Sequence, residues 1–165
     1  MINILGRIAD LLALLGGALL LIIVAVTTTN VGAFMLDRVA GFFDADVRGL
    51  PGYEDFVRLA ISAAGLLFFP YCQANRGHVA VDLFVIRASY RFRRFLDRIW
   101  LVATAAIAAF LAWWMIYGLL EKQSDNAVTG VLGWAEWPFY IPGIAAMALW
   151  ALISVSQMFG KDAHV

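Results

Sequence analysis

Four stretches of mainly apolar residues, each close to one membrane crossing in length, leave this chain little choice of fold. They run from about Leu11 to Asn30, Phe56 to Ala74, Ile99 to Leu120 and Pro138 to Phe159. A helix rises about 1.5 Å per residue, so roughly twenty residues cross about 30 Å of hydrocarbon. With 63% of its 165 residues hydrophobic, the chain holds more apolar surface than a water-soluble domain of this size can bury. The expectation is an all-α integral membrane protein, a single domain over residues 1–165 with four transmembrane helices. Arg7 ahead of the first run resembles the start of a signal peptide. That run, however, continues to about Val26 and ends in Thr27-Thr28-Thr29-Asn30 without a small-residue cleavage pattern, so it is expected to be retained as a span.

Charge fixes the threading. The net charge is zero, yet basic and acidic residues are segregated. Between the second and third runs lie Arg76, Arg87, Arg91, Arg93, Arg94 and Arg98 against Asp82 and Asp97. The connections 30–55 and 121–137 are poor in Lys and Arg. Short loops rich in arginine stay on the cytoplasmic side, so the central loop and both termini are expected inside and the two acidic connections outside. Within the central loop Phe92, Phe95, Leu96 and Ile99 recur at helical spacing among arginines. This predicts an amphipathic helix over Ser89 to Trp100, lying in the inner interface or simply flanking the third span. Arg87, Arg91, Arg93, Arg94, Arg98 and Trp100 would form a collar at the lipid headgroups.

Local signals refine the spans. Gly16-Gly17 would allow another helix close to the backbone of the first. Pro70 should bend or end the second. Trp113, Trp114 and Tyr117 on the third, and Trp134, Trp137 and Tyr140 before the fourth, suit interfacial belts, while Pro138 and Pro142 suit a first helical turn.

Chemistry has little to work with. His78 and Asp82 stand four apart and would share a helix face, but a metal site needs further donors and only Cys72 and distant His164 are available. Haem ligation is disfavoured because His164 falls in the polar tail. No Gly-rich phosphate loop, nucleophile elbow or cluster of intramembrane carboxylates is present, nor any footprint for nucleic acid. The span interiors offer Ser62, Thr104, Ser154 and Ser156, hydroxyls that commonly bond back to their own helix. The chain is therefore expected to be neither an enzyme nor a cofactor protein, and more plausibly an accessory subunit than a self-sufficient carrier. The alternatives are a membrane-anchor subunit of a haem or quinone oxidoreductase, or a small transporter acting alone.

One family has these features in this order. Asn30 closes the first run, Tyr53-Glu54-Asp55 introduces the second, Asn75-Arg76-Gly77-His78-Val79-Ala80-Val81-Asp82-Leu83 follows it, and Trp137-Pro138-Phe139-Tyr140-Ile141-Pro142-Gly143 opens the fourth. The chain resembles the small membrane subunit, the Q component, of tripartite ATP-independent periplasmic (TRAP) transporters. Its outer loop from Val31 to Gly52 is longer and richer in Gly and Asp than that family's pattern. The resemblance implies a bacterial inner-membrane location and two protein partners, a large membrane subunit (the M component) and a periplasmic solute-binding protein. It also implies a scaffolding role in ion-coupled uptake of a carboxylate-type solute. Glu54, Arg76, Gly77, His78 and Asp82 would then act as a structural clamp or subunit interface.

Overall fold

The computed structural model describes residues 2–41, 49–75 and 90–159, with the side chains of Ile2, Asn3, Tyr90 and Arg93 excepted. Its helices are α1 (Ile2–Ala40), α2 (Tyr53–Leu67), α3 (Phe69–Ala74), α4 (Tyr90–Ser124) and α5 (Tyr140–Phe159), with a 3₁₀ turn over Trp137–Phe139 before the last. Among the described residues there is no strand, only an isolated bridge between Val128 and Ala135. Four helical stretches are long and apolar enough to cross a membrane: Ile4–Ala40, Tyr53–Ala74, Arg94–Ser124 and Trp137–Phe159.

Two bounds differ from the sequence expectation. The first helix does not stop at Asn30 but runs on to Ala40. Nothing from Val31 to Ala40 is a proline, and Ala, Met, Leu and Arg propagate a helix readily, so the helix passes Asn30. The amphipathic segment before the third span is helical from Tyr90, but it is not a separate element in the loop. It continues without a break into α4. The reason is register: Phe92, Phe95 and Ile99 fall on the same side as the exposed Val102, Phe110, Trp113 and Tyr117, so no kink is needed to keep one apolar face.

Pro70 acts as expected. Without an N–H it cannot bond the carbonyl of Leu66, and the second span is interrupted at Phe68, after which α3 restarts with Pro70 in its first turn. Pro138 likewise sits in the 3₁₀ turn that opens the fourth span. The hydroxyls also behave as anticipated: Thr104 donates to the Leu101 carbonyl, Ser154 to that of Trp150 and Ser156 to that of Ile153.

α5 is the helix that touches all the others, while α1 packs mainly on α2 and α4 mainly on α5. The antiparallel α4–α5 pair is a seam of small residues. Leu101, Ala105, Ala108 and Ala112 of α4 are buried, as are Gly143, Ala146, Met147 and Trp150 of α5. A Cβ on Gly143 would collide with Met115 and Leu66, and one on Gly118 would come 3.0 Å from the Tyr140 ring. Of the Gly16-Gly17 pair only Gly16 is a contact point, its missing Cβ leaving 3.1 Å to the Ala64 carbonyl. In hydrocarbon, close van der Waals approach of this kind is what holds helices together. Replacing Ala108, which is wholly buried, by Leu should therefore overpack the seam and cost about 1–3 kcal/mol. A thermal unfolding series on the purified chain in detergent checks this, and an unchanged midpoint would refute the packing.

Candidate functional site

Polar groups gather at the two ends of the bundle. At the end where α1 and α4 finish and α2 and α5 begin, here termed outer after the charge reading, Glu136 receives two cations. The Arg58 guanidinium donates to Oε1 at 2.7 Å and the Lys122 ammonium lies 2.8 Å from Oε2. The bond from Lys122, with the charge of both neighbours, holds the Glu136 carboxyl below the usual carboxylate range despite its partial desolvation. Asp55 in the first turn of α2 accepts the Val131 and Leu132 N–H groups at 2.8 and 3.1 Å. Within that same loop, buried Thr129 exchanges bonds with Trp134: its N–H donates to the Trp134 carbonyl at 2.9 Å and its hydroxyl accepts the Trp134 N–H at 3.0 Å. Gly52, at φ 76, turns the chain into α2 against Leu132, whose Cγ would lie 2.6 Å from any added Cβ. Buried Asn30 completes the arrangement from α1, its Oδ1 accepting the Leu50 N–H at 2.8 Å. α1, α2 and α4 thus each contribute a tie to the outer loops.

Toward the other end, Gln73 of α3 is buried and bridges to α5 by three bonds. It donates to Gln157 Oε1 at 2.7 Å, accepts the Trp150 indole N–H at 3.1 Å, and its carbonyl accepts from Gln157 Nε2 at 2.9 Å. Hydrogen bonds between helices within a membrane contribute about 0.6–2 kcal/mol apiece. Phe69 packs on Trp150 at a ring separation of 4.9 Å and shields this network.

The predicted residues fare unequally. Glu54 is exposed at the outer end and accepts the Tyr53 hydroxyl at 3.2 Å. Arg91, Arg94, Arg98 and Trp100 are exposed on the first turns of α4, where the side chain of Arg93 lies outside what is described. Arg76, Gly77, His78, Asp82 and Arg87 also fall outside the described residues. Asp55 holds a loop, and Arg58 turns to Glu136. The signal was present, since antiparallel threading sets Arg58, Lys122 and Glu136 at one end. The Gln73–Trp150–Gln157 network carried no local signal, because Gln73 sits in the broken end of a span and Gln157 lies 84 residues away.

Four apolar helices tied at both ends, with polar groups spent on one another, define a multi-pass integral membrane protein. The model of the family "Tripartite ATP-independent periplasmic transporters, DctQ component" matches residues 47–163, well over half of the chain, and the chain belongs to that family. It is a small membrane subunit of a TRAP transporter and resides in the inner membrane. No curated protein and no solved structure was found to match it.

Two outcomes follow from the ties. Because the Glu136 carboxyl is held low, it contributes stability above the ordinary carboxylate range, and that contribution is lost as pH falls through the lowered value. Glu136→Gln should remove this pH dependence and, because Arg58 and Lys122 themselves remain open to solvent, cost no more than about 1 kcal/mol at neutral pH. Unfolding midpoints from pH 7 downward test it. Gln73→Leu strips an acceptor from the Trp150 indole and a donor from the Gln157 side-chain oxygen, while Gln157 Nε2 keeps the backbone carbonyl of residue 73, and should cost about 1–3 kcal/mol. A changed Trp150 emission, read in a chain with the other tryptophans replaced by Phe, would accompany it.

Proposed function

We propose that this subunit is non-catalytic and serves as a membrane scaffold for the large TRAP subunit, which carries out ion-coupled uptake of a carboxylate-type solute delivered by a periplasmic binding protein. The observation that supports a scaffold most directly is the amount of apolar surface left unpartnered within the chain. Leu14, Leu21 and Val24 of α1, and Phe110, Trp113 and Trp114 of α4, are more than half exposed. Such faces need lipid or protein cover. The ties at the outer end favour the same reading, because a scaffold must keep its loops and helix spacing while its neighbour moves. Among the described residues no group of three His, Cys, Asp or Glu converges that could hold a metal. The solute class and the ion coupling rest on family membership.

In this reading Arg76, Gly77, His78 and Asp82 form a structural clamp after α3, and Glu54 meets the large subunit or the binding protein from the outer side. Arg87, Arg91, Arg93, Arg94, Arg98 and Trp100 lie at the inner headgroups. The test is co-expression. The chain should co-purify with a much larger multi-span protein, and reconstituted uptake should require both. Uptake by the large protein alone at full rate, or by this chain alone in liposomes, would overturn the proposal.

A further inference from the structure

α4 lies at the edge of the bundle and packs mainly on α5. Leu101, Ala105, Ala108 and Ala112 are buried in that seam. About half a turn round the helix from them stands a ridge of Phe110, Trp113, Trp114 and Tyr117, each more than half exposed. The rings pack on one another. Phe110 stacks on Trp114 at 5.9 Å, and Tyr117 lies 5.5 Å from Trp113 and 6.3 Å from Trp114.

The depth of the ridge follows from the packing. Arg98 and Glu121 bound the uncharged length of α4 and centre it near Ala109. The pairing with α5 agrees: Gly118 faces Tyr140 and Thr104 faces Ser154, which sets Leu149, in the middle of α5, level with Ala109. Trp113 and Trp114 stand about 6 and 7.5 Å beyond that level, against about 15 Å to the edge of the hydrocarbon. Side chains of a helix lean toward its start, here the inner end, so both indoles lean back toward the middle. They are too deep for the headgroup belt that their place in the sequence suggests.

At this depth the indole N–H groups become informative. Neither has a hydrogen-bond partner among the described residues. Acyl chains offer no acceptor, and a donor left unpaired in hydrocarbon is costly. Exposed Ser62 of α2 is a different case, because a serine hydroxyl can turn to a carbonyl of its own helix and an indole cannot. The open face of α1 contrasts with the ridge. From Leu11 to Val26 no side chain of α1 has a polar atom, so acyl chains satisfy Leu14, Leu21 and Val24 fully. The ridge calls for a cover with oxygen acceptors within the bilayer, which a protein segment supplies and lipid tails do not. Tryptophan and tyrosine are also the residues that most often anchor protein interfaces, and rings already held by one another lose little freedom on docking.

Resting on the scaffold reading, we infer that Phe110, Trp113, Trp114 and Tyr117 form the face that docks on the large membrane subunit. The occupant is a spanning segment that presents acceptors to the Trp113 and Trp114 indoles, and the aliphatic face of α1 is left to lipid.

The experiment uses the two subunits co-expressed. A benzophenone amino acid placed at Tyr117 should capture the large subunit on irradiation, and the same probe at Leu21 should capture lipid. The double variant W113F/W114F keeps both rings and removes both donors. It should weaken association of the subunits on the order of tenfold or more, each lost bond being about threefold to thirtyfold. L21A/V24A should change association less than about twofold. Unfolding midpoints of the isolated variants should stay in place, since all four positions are more than half exposed, and the two probes decide the matter even where a midpoint falls. Capture of the large subunit from Leu21 equal to or above that from Tyr117 would overturn the inference. So would capture of lipid alone or of a second copy of this chain from Tyr117, or association unmoved in W113F/W114F. In each of those outcomes the large subunit still co-purifies and the scaffold reading stands. A large subunit that never co-purifies would sink both.

Discussion

The close approach of α4 to α5 is the contact on which the rest of the molecule depends. Within a bilayer a helix gains nothing by exchanging lipid for another apolar surface, so association rests on how near two backbones can come. Ala105, Ala108 and Ala112 facing Gly143 and Ala146 allow that approach, and Met115 and Leu66 fill the place a side chain on Gly143 would take. α5 then serves as the core of the bundle, meeting α1, α2 and α3 on its other sides. The packing of α1 on α2 uses the same device at Gly16 and Ala64, with Ala60 and Ile23 in the same cluster.

Small residues bring helices together but specify register weakly, and the polar ties supply what they lack. At the outer end Glu136, just ahead of α5, joins Arg58 of α2 to Lys122 of α4, so one carboxylate fixes three segments. Asp55 fixes the loop between α4 and α5 by its backbone rather than by charge pairing. Near the inner end Gln73, Trp150 and Gln157 hold the short helix α3, which Pro70 has separated from α2, in addition to its packing on α1 and α5. A break in a span leaves backbone groups to satisfy, and side chains of adjoining helices commonly satisfy them.

How much of this was legible in the sequence follows from the range of each interaction. Spans, prolines and hydroxyls are governed by neighbours within a turn, and Pro70, Pro138, Thr104 and Ser154 behave as local rules require. The length of α1 was misjudged because Asn30 reads as a polar terminator. In the fold it is buried and accepts from Leu50, twenty residues on, so a tertiary bond lets the helix pass it. The partnership of Arg58 with Glu136 spans 78 positions and was accessible only by combining threading with charge. Gly16 could not be distinguished from Gly17 without knowing which side α2 occupies.

Helix length adds a constraint of its own. α1 has 39 residues and α4 has 35, lengths of about 58 and 52 Å against about 30 Å of hydrocarbon. On α4 the side that carries Phe92, Phe95, Ile99, Val102, Phe110, Trp113 and Tyr117 is without charge from Phe92 to Leu120, over about 42 Å, because the charged residues of that stretch fall at other positions around the helix. An upright helix would leave a turn or more of that apolar face in water at one end or both. Tilting brings the face back into hydrocarbon at a cost of only fractions of a kcal/mol per Å of mismatch, and a second membrane protein alongside would cover it as well. Because α4 is bound to α5 along its seam, tilt of one requires tilt of the other, and the ties at Glu136 and Gln73 carry it to α2 and α3. The subunit would therefore lean as one body. That property suits a scaffold whose long apolar edges must keep their spacing against a moving neighbour.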